Sequence, residues 1–217
     1  MGTSLGINHR LKDDFLLGEI GVSRETCEKL HCYYGLLLEW NKKINLVSRK
    51  SIHSSWPRHF LDSAQLWRFA PKHTQRWLDF GSGAGFPGLV IGVIAQELKP
   101  ETEVILVEKN KKKVLFLKEV AQKLSLNVTI LWGKVEEIEP LKADVISSRA
   151  FGPLRLLIEI SYMHKNHRTI SIFPKGKSFE REIQDSLKQW KFDVNKVDNI
   201  LEKNSSILEI RNIEVGP

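Results

Sequence analysis

The residues of this chain best suited to small-ligand chemistry are an acid and four glycines in a row of short intervals, Asp79, Gly81, Gly83, Gly85 and Gly88. The apolar pair Trp77-Leu78 leads into them and Leu89-Val90-Ile91 leads out, which predicts a strand, a tight turn and a helix. Glycine at these spacings allows a left-handed turn, lets a ligand touch the backbone and lets strand and helix pack closely. The helix start offers free N–H groups, and Pro87 is tolerated in a first turn because its missing donor has no partner there anyway. A nucleotide-like ligand is expected at this turn.

Two nucleotide chemistries compete for it. Gly83-x-Gly85-x-x-Gly88 satisfies the G-x-G-x-x-G pattern of dinucleotide-binding proteins, so an NAD-binding oxidoreductase is one reading. Asp79 favours the other, because a carboxylate beside the loop repels a pyrophosphate and suits a ligand bearing an ammonium and a sulfonium. S-adenosyl-L-methionine is such a ligand, so Asp79, Gly81, Gly83 and Gly85 are read as its binding loop. Glu108 closes the second strand 23 residues beyond Gly85, the spacing at which an acid accepts hydrogen bonds from a ribose diol. Gly133-Lys134-Val135-Glu136 follows the third strand, where a backbone N–H and an acid can hold an adenine edge. Ser147-Ser148-Arg149-Ala150-Phe151 follows the fourth.

The acceptor is narrowed by what is missing. Carbon-5 methylation of a pyrimidine needs a cysteine near the sheet's carboxyl edge, and both cysteines, Cys27 and Cys32, fall in an N-terminal helix where they read as reduced packing residues. The strand-four stretch also differs from the Asn/Asp-Pro-Pro-aromatic pattern of exocyclic-amine methylation. Guanine N7 carries an available lone pair, so transfer to it needs in-line positioning and no general base. No catalytic acid or base is therefore assigned. His164 and His167 lack accompanying ligands and predict no metal site.

These residues need a scaffold, and the pattern of the chain supplies one. Residues 1–10 read as frayed, and residues 1–72 as an N-terminal helical cap in which Cys27, Leu30, Tyr34 and Leu37 recur at helical intervals. From residue 73 to residue 217 strands alternate with helices and end in two strands, 192–200 and 207–213. The predicted fold is α/β, a class I methyltransferase-like, doubly wound and mostly parallel sheet with a C-terminal antiparallel hairpin.

Composition bounds the partner. The 217 residues carry 33 Lys plus Arg against 26 Asp plus Glu, a net charge of +7, which draws polyanions at long range. Lys42, Lys43, Arg49, Arg58, His59, Lys109 to Lys113, Lys175 and Lys177 are candidates for gripping RNA phosphate, and a His59–Asp62 pair also reads as a structural hydrogen bond. No apolar run is long enough to span a bilayer and Met1 to Arg10 has no apolar signal core, which predicts a cytoplasmic protein without membrane association. A monomer is expected.

Several separated motifs then occur together and in order: W-N-K-K-I-N-L from Trp40, R-H-F-L-D-S from Arg58, L-D-F-G-S-G-A-G-F-P-G from Leu78, S-S-R-A-F from Ser147 and F-P-K-G from Phe173. Together they resemble the bacterial methyltransferase G family of small-subunit ribosomal RNA, also called the glucose-inhibited division protein B family. The resemblance implies methyl transfer from S-adenosyl-L-methionine to N7 of a guanosine in the decoding region of 16S ribosomal RNA, free or in the small subunit. It also implies cofactor contacts at Gly81, Phe86, Val135, Glu136 and Arg149; Arg149 can hold the methionine carboxylate, grip RNA phosphate or position the guanine edge. Phe80 replaces the commoner Val of that family. The alternatives are methylation of another RNA position or a small molecule, and the NAD-binding oxidoreductase.

Overall fold

The computed structural model describes residues 13–48, 56–202 and 205–216. Apolar, β-branched runs bounded by turn residues form a seven-stranded sheet. Its strands are β1 (Arg76–Phe80), β2 (Glu103–Glu108), β3 (Val128–Trp132), β4 (Ala143–Ser147), β5 (Lys165–Lys175), β6 (Trp190–Asp198) and β7 (Ser206–Val215). They lie in the order β3-β2-β1-β4-β5-β7-β6. The first five are parallel, and β7 runs antiparallel between β5 and β6. The chain winds outward from β1 to β3 and then returns to β4, so the winding direction reverses between β1 and β4. Ligands of open α/β sheets bind beyond the carboxyl ends of the strands at such a point.

Among the described residues, five helices of eight residues or more cover the sheet: α1 (Arg24–Asn41), α2 (Gly88–Leu98), α3 (Lys111–Lys123), α4 (Leu154–His164) and α5 (Phe179–Leu187). Side chains of α1 to α3 fill the core on one face, among them Leu30, Tyr33, Leu89, Val90, Phe116 and Leu117. Leu157, Ile158 and Ile183 from α4 and α5 fill the other. The cap expected to end at residue 72 shares its core with the first face, through Leu30, Tyr33, Leu37 and Phe60. A polar clasp reinforces this contact, since Glu97 of α2 accepts hydrogen bonds from the backbone N–H and hydroxyl of Ser23, the N-cap of α1.

The predicted alternation is present, with local differences. The helical pattern over 179–190 ends early, at Leu187, and Trp190 opens β6 instead, half-buried against the second core. β5 itself is longer than its apolar run at 169–173, because pairing with β7 carries the strand to Lys175. Cys27 is buried as expected, whereas Cys32 is exposed. Among the described residues no helix is long and apolar enough to cross a membrane.

Candidate functional site

The glycine turn after β1 is built from hydrogen bonds that close on themselves. The N–H groups of Gly81 and Ser82 donate to the Val107 carbonyl of β2, and those of Gly85 and Phe86 donate to the Ser82 carbonyl. Gly83 N–H donates to Glu108 Oε2 at 2.8 Å, and Gly88 N–H, at the start of α2, donates to Asp79 Oδ2 at 3.2 Å. Gly81 has φ +65°, and a Cβ there would overlap the Phe151 ring, so only glycine fits. Gly85 has φ +90°, and a Cβ there would stand 2.5 Å from the Tyr33 hydroxyl, which donates to the Ala84 carbonyl and ties α1 to the turn.

Asp79 is fully buried. Besides Gly88 N–H, it accepts the Ser147 hydroxyl at 3.0 Å. Burial pushes its carboxyl up to about 7, against the hydrogen bonds that favour the ionised form. The direct ligand contact expected of this acid is therefore not offered by the geometry: Asp79 occupies the anion position at the helix start itself. A pyrophosphate would find the carboxylate in its place and these loop donors already spent.

A cavity of about 380 Å³ opens beside the turn, between the ends of β1, β2 and β3. Gly81, Gly83, Glu108, Val135 and Glu136 line it, as does Phe151. Asp79, Gly85, Phe86 and Arg149 do not. Glu108 is buried, and its oxygens accept Gly83 N–H and Asn110 N–H at 2.8 and 2.7 Å. Each carboxylate oxygen keeps a second lone pair for a hydroxyl donor. Phe86 faces away from this cavity into an aromatic cluster, with ring centroids 5.0 Å from Phe60 and 5.5 Å from Tyr33.

Arg149 lies on the opposite side of Ala150, a residue that lines both this cavity and a second one of about 450 Å³. There its guanidinium stacks over Phe86 at 5.2 Å and donates to the Arg58 carbonyl at 2.9 Å, to Asp62 Oδ2 at 3.3 Å and to His59 Nδ1 at 2.7 Å. A guanidinium has no acceptor, so His59 Nδ1 accepts and the ring proton sits on Nε2. Burial first, then the positive charges of Arg149 and Arg58, pull the His59 pKa down to about 3, and the ring is neutral. The bond expected between His59 and Asp62 is replaced by this arrangement, in which both hold Arg149. Asp62 also accepts from Gln65 Nε2 at 2.8 Å and Asn199 Nδ2 at 2.7 Å. Sequence reasoning missed Asn199 and Gln65, because nothing in a turn asparagine 137 residues from Asp62 signals the contact.

The basic candidates separate. Arg58 is exposed and lines the second cavity. Lys175 lines it too, yet its side chain is only 11% exposed and its ammonium pairs with Glu182 at 2.6 Å, so its charge is already neutralised. Lys42 and Lys43 line a third and larger cleft, about 850 Å³, facing Lys112 and Lys113 of α3. Lys113 also lines the first cavity, so the three spaces run in series along the carboxyl edge of the sheet. Asn41 Oδ1 accepts Leu46 and Val47 N–H at 2.9 Å, the turn role expected of it. Arg49 lies outside the described residues.

Residues 26–212 match the family model described as rRNA small subunit methyltransferase G. The chain belongs to the rRNA small subunit methyltransferase G family. A ribosomal RNA small subunit methyltransferase G of Ruegeria pomeroyi is 39% identical over 194 residues, covering 89% of this chain and 95% of the relative. One from a Jannaschia species is 40% identical over 190 residues, covering 88% and 90%. Solved structures agree in fold. A SAM-dependent methyltransferase from Aquifex aeolicus superposes with a TM-score of 0.56 at 17% identity, covering 72% of this chain and 92% of that one. A variant of MtNAS in complex with S-adenosylmethionine gives a TM-score of 0.56 at 17% identity, over 87% and 75%. The fold of this methyltransferase G family member is thus that of class I methyltransferases, with the acid-and-glycine turn at its switch point.

Proposed function

We propose that this protein transfers a methyl group from S-adenosyl-L-methionine to N7 of a guanosine in 16S ribosomal RNA. The observation that carries this reading is the pair of cavities that meet at Ala150, one backed by the glycine turn and Glu108, the other holding Arg149. The first cavity falls in the range of about 300–1,000 Å³ usual for small-molecule sites. Glu108 and Glu136 offer acceptors for the hydroxyl and amine donors of a nucleoside, Val107, Val135 and Leu156 offer apolar walls, and Lys109, Lys113 and Lys134 also line it. S-adenosyl-L-methionine bound there supplies an electrophilic methyl group on a sulfonium.

The chain's own residues then have positioning work. Phe151 stands against Gly81 and packs edge-on to Phe80 at 5.2 Å, next to the shared wall. Arg149, held by partners from residues 58 to 62, presents a fixed cation in the second cavity. Guanine offers O6 and N7 as neighbouring acceptors. A donor on O6 orients the base and leaves the N7 lone pair free to attack in line. No proton leaves N7, so no base is required, and the neutral His59 serves to hold Arg149. Lys42, Lys43, Lys112 and Arg58 are placed to meet RNA phosphates on either side.

Two measurements test the proposal. Calorimetry is expected to show binding of S-adenosylmethionine and none of NADH, and tighter NADH binding would overturn the cofactor assignment. Tritiated methyl transfer is expected to label 30S subunits or 16S ribosomal RNA, and absence of label from both would overturn the acceptor.

A further inference from the structure

The chain has six tryptophans, and Trp132 is the one that stands in solvent, 62% exposed, while the rest are buried or half-buried. An aromatic side chain of this kind usually buries about 150–250 Å², so leaving it out forgoes a large apolar contribution. The ring is nevertheless held in place. Its Nε1–H donates to the Lys109 carbonyl at 3.1 Å, and the Lys111 ammonium sits over it at 5.4 Å.

Its position matters as much as its exposure. Trp132 is the last residue of β3, the edge strand, and pairs in register with Glu108. The four residues that follow it, Gly133 to Glu136, and Glu108 itself all line the first cavity. Trp132 therefore stands at the rim of the proposed methyl-transfer site.

The surroundings are basic. Lys109, Lys111, Lys112 and Lys113 form the turn and first helical turn beside the ring. Three lysines in the first turn of α3 oppose the helix dipole, which favours acids there, so local helix stability does not explain them. Of the neighbouring acids, Glu108 is occupied by two backbone donors, Glu137 pairs with Lys134 at 2.6 Å, and Glu136 lines the cavity.

A fixed, solvent-facing ring flanked by unpaired cations is the chemistry that single-stranded nucleic acid recognises, since every base has a π-face and every linkage a phosphate. We propose that Trp132 is a stacking platform for an unpaired base of the RNA substrate, next to the target nucleotide, with Lys109, Lys111 and Lys112 taking the adjoining phosphates. This rests on the ribosomal RNA reading above.

The test uses the full chain, S-adenosylmethionine and whichever of 30S subunits or 16S ribosomal RNA the wild type methylates. Trp132→Ala is expected to raise KM for that substrate about 10-fold with kcat retained, and Trp132→Phe to stay within about threefold of wild type. S-adenosylmethionine affinity by calorimetry is expected to be the same in all three. Ultraviolet cross-linking followed by mass spectrometry should find a nucleotide on the peptide carrying Trp132. An unchanged KM in Trp132→Ala, or cross-links from that peptide to a ribosomal protein in place of RNA, would overturn the platform. Wild-type protein that labels no RNA would instead overturn the reading beneath it, before any variant is compared.

Discussion

Asp79 shows how one residue can favour the same proposed ligand for a different reason. Its place before the glycines suggested an acid facing a cation; in the fold it is a buried tie between β1, β4 and the start of α2, and it excludes phosphate by filling the anion position. Because burial raises its carboxyl from 3.8 to about 7, the folded chain keeps a proton that the unfolded chain releases. Stability from this group is therefore full at low pH and declines as pH rises through that window. Asp79→Asn should flatten the decline in urea midpoint between about pH 4 and about pH 7, the edges of that window. Asp79→Ala should instead cost about 2–4 kcal/mol, from stranded donors at Gly88 and Ser147. His59 acts with the opposite sign. Its pKa falls from 6.5 to about 3, so the stability it adds is present above 6.5 and is lost as pH drops toward 3. Arg149→Lys keeps the charge but cannot span His59, Asp62 and the Arg58 carbonyl together. It should lower kcat about 10- to 100-fold while leaving S-adenosylmethionine affinity unchanged. A large loss of cofactor affinity would restore Arg149 to the first cavity.

At the scale of elements, the glycine turn and the alternation of strands and helices could be read from the chain because their signals are local: periodicity, β-branched runs and glycine spacing. Five of the nine expected cofactor residues line the first cavity, and those five lie at or just after strand ends, where topology alone brings residues together. Phe86 and Arg149 were harder. What they touch comes from residues 33 to 62 of the helical segment, and no spacing rule records that packing. The early end of α5 has the same origin, since pairing of β6 with β7 decides where that helix ends. Gly81→Ala tests the turn. It places a Cβ at positive φ and into the Phe151 ring, and should destabilise the fold by about 1–3 kcal/mol and abolish measurable S-adenosylmethionine binding. Retained affinity in a folded variant would move the ligand elsewhere.

For the whole molecule, charge and topology converge on one edge. The net charge of +7 draws RNA, and the three connected spaces set Lys42 and Lys43 at one end of the site and Arg58 at the other. The double variant Lys42→Ala/Lys43→Ala should weaken RNA binding and reduce the slope of log affinity against log salt by about 1 per lysine lost, with cofactor affinity intact. An unchanged slope would place the RNA on another face. Methylation of guanine N7 in 16S ribosomal RNA is tested directly by nucleotide mapping of that RNA from a strain lacking this protein and from the same strain with it restored. The predicted result is a single 7-methylguanosine that disappears and returns with the protein. A 7-methylguanosine pattern identical in both strains, with a different methylated nucleoside tracking the protein, would contradict it.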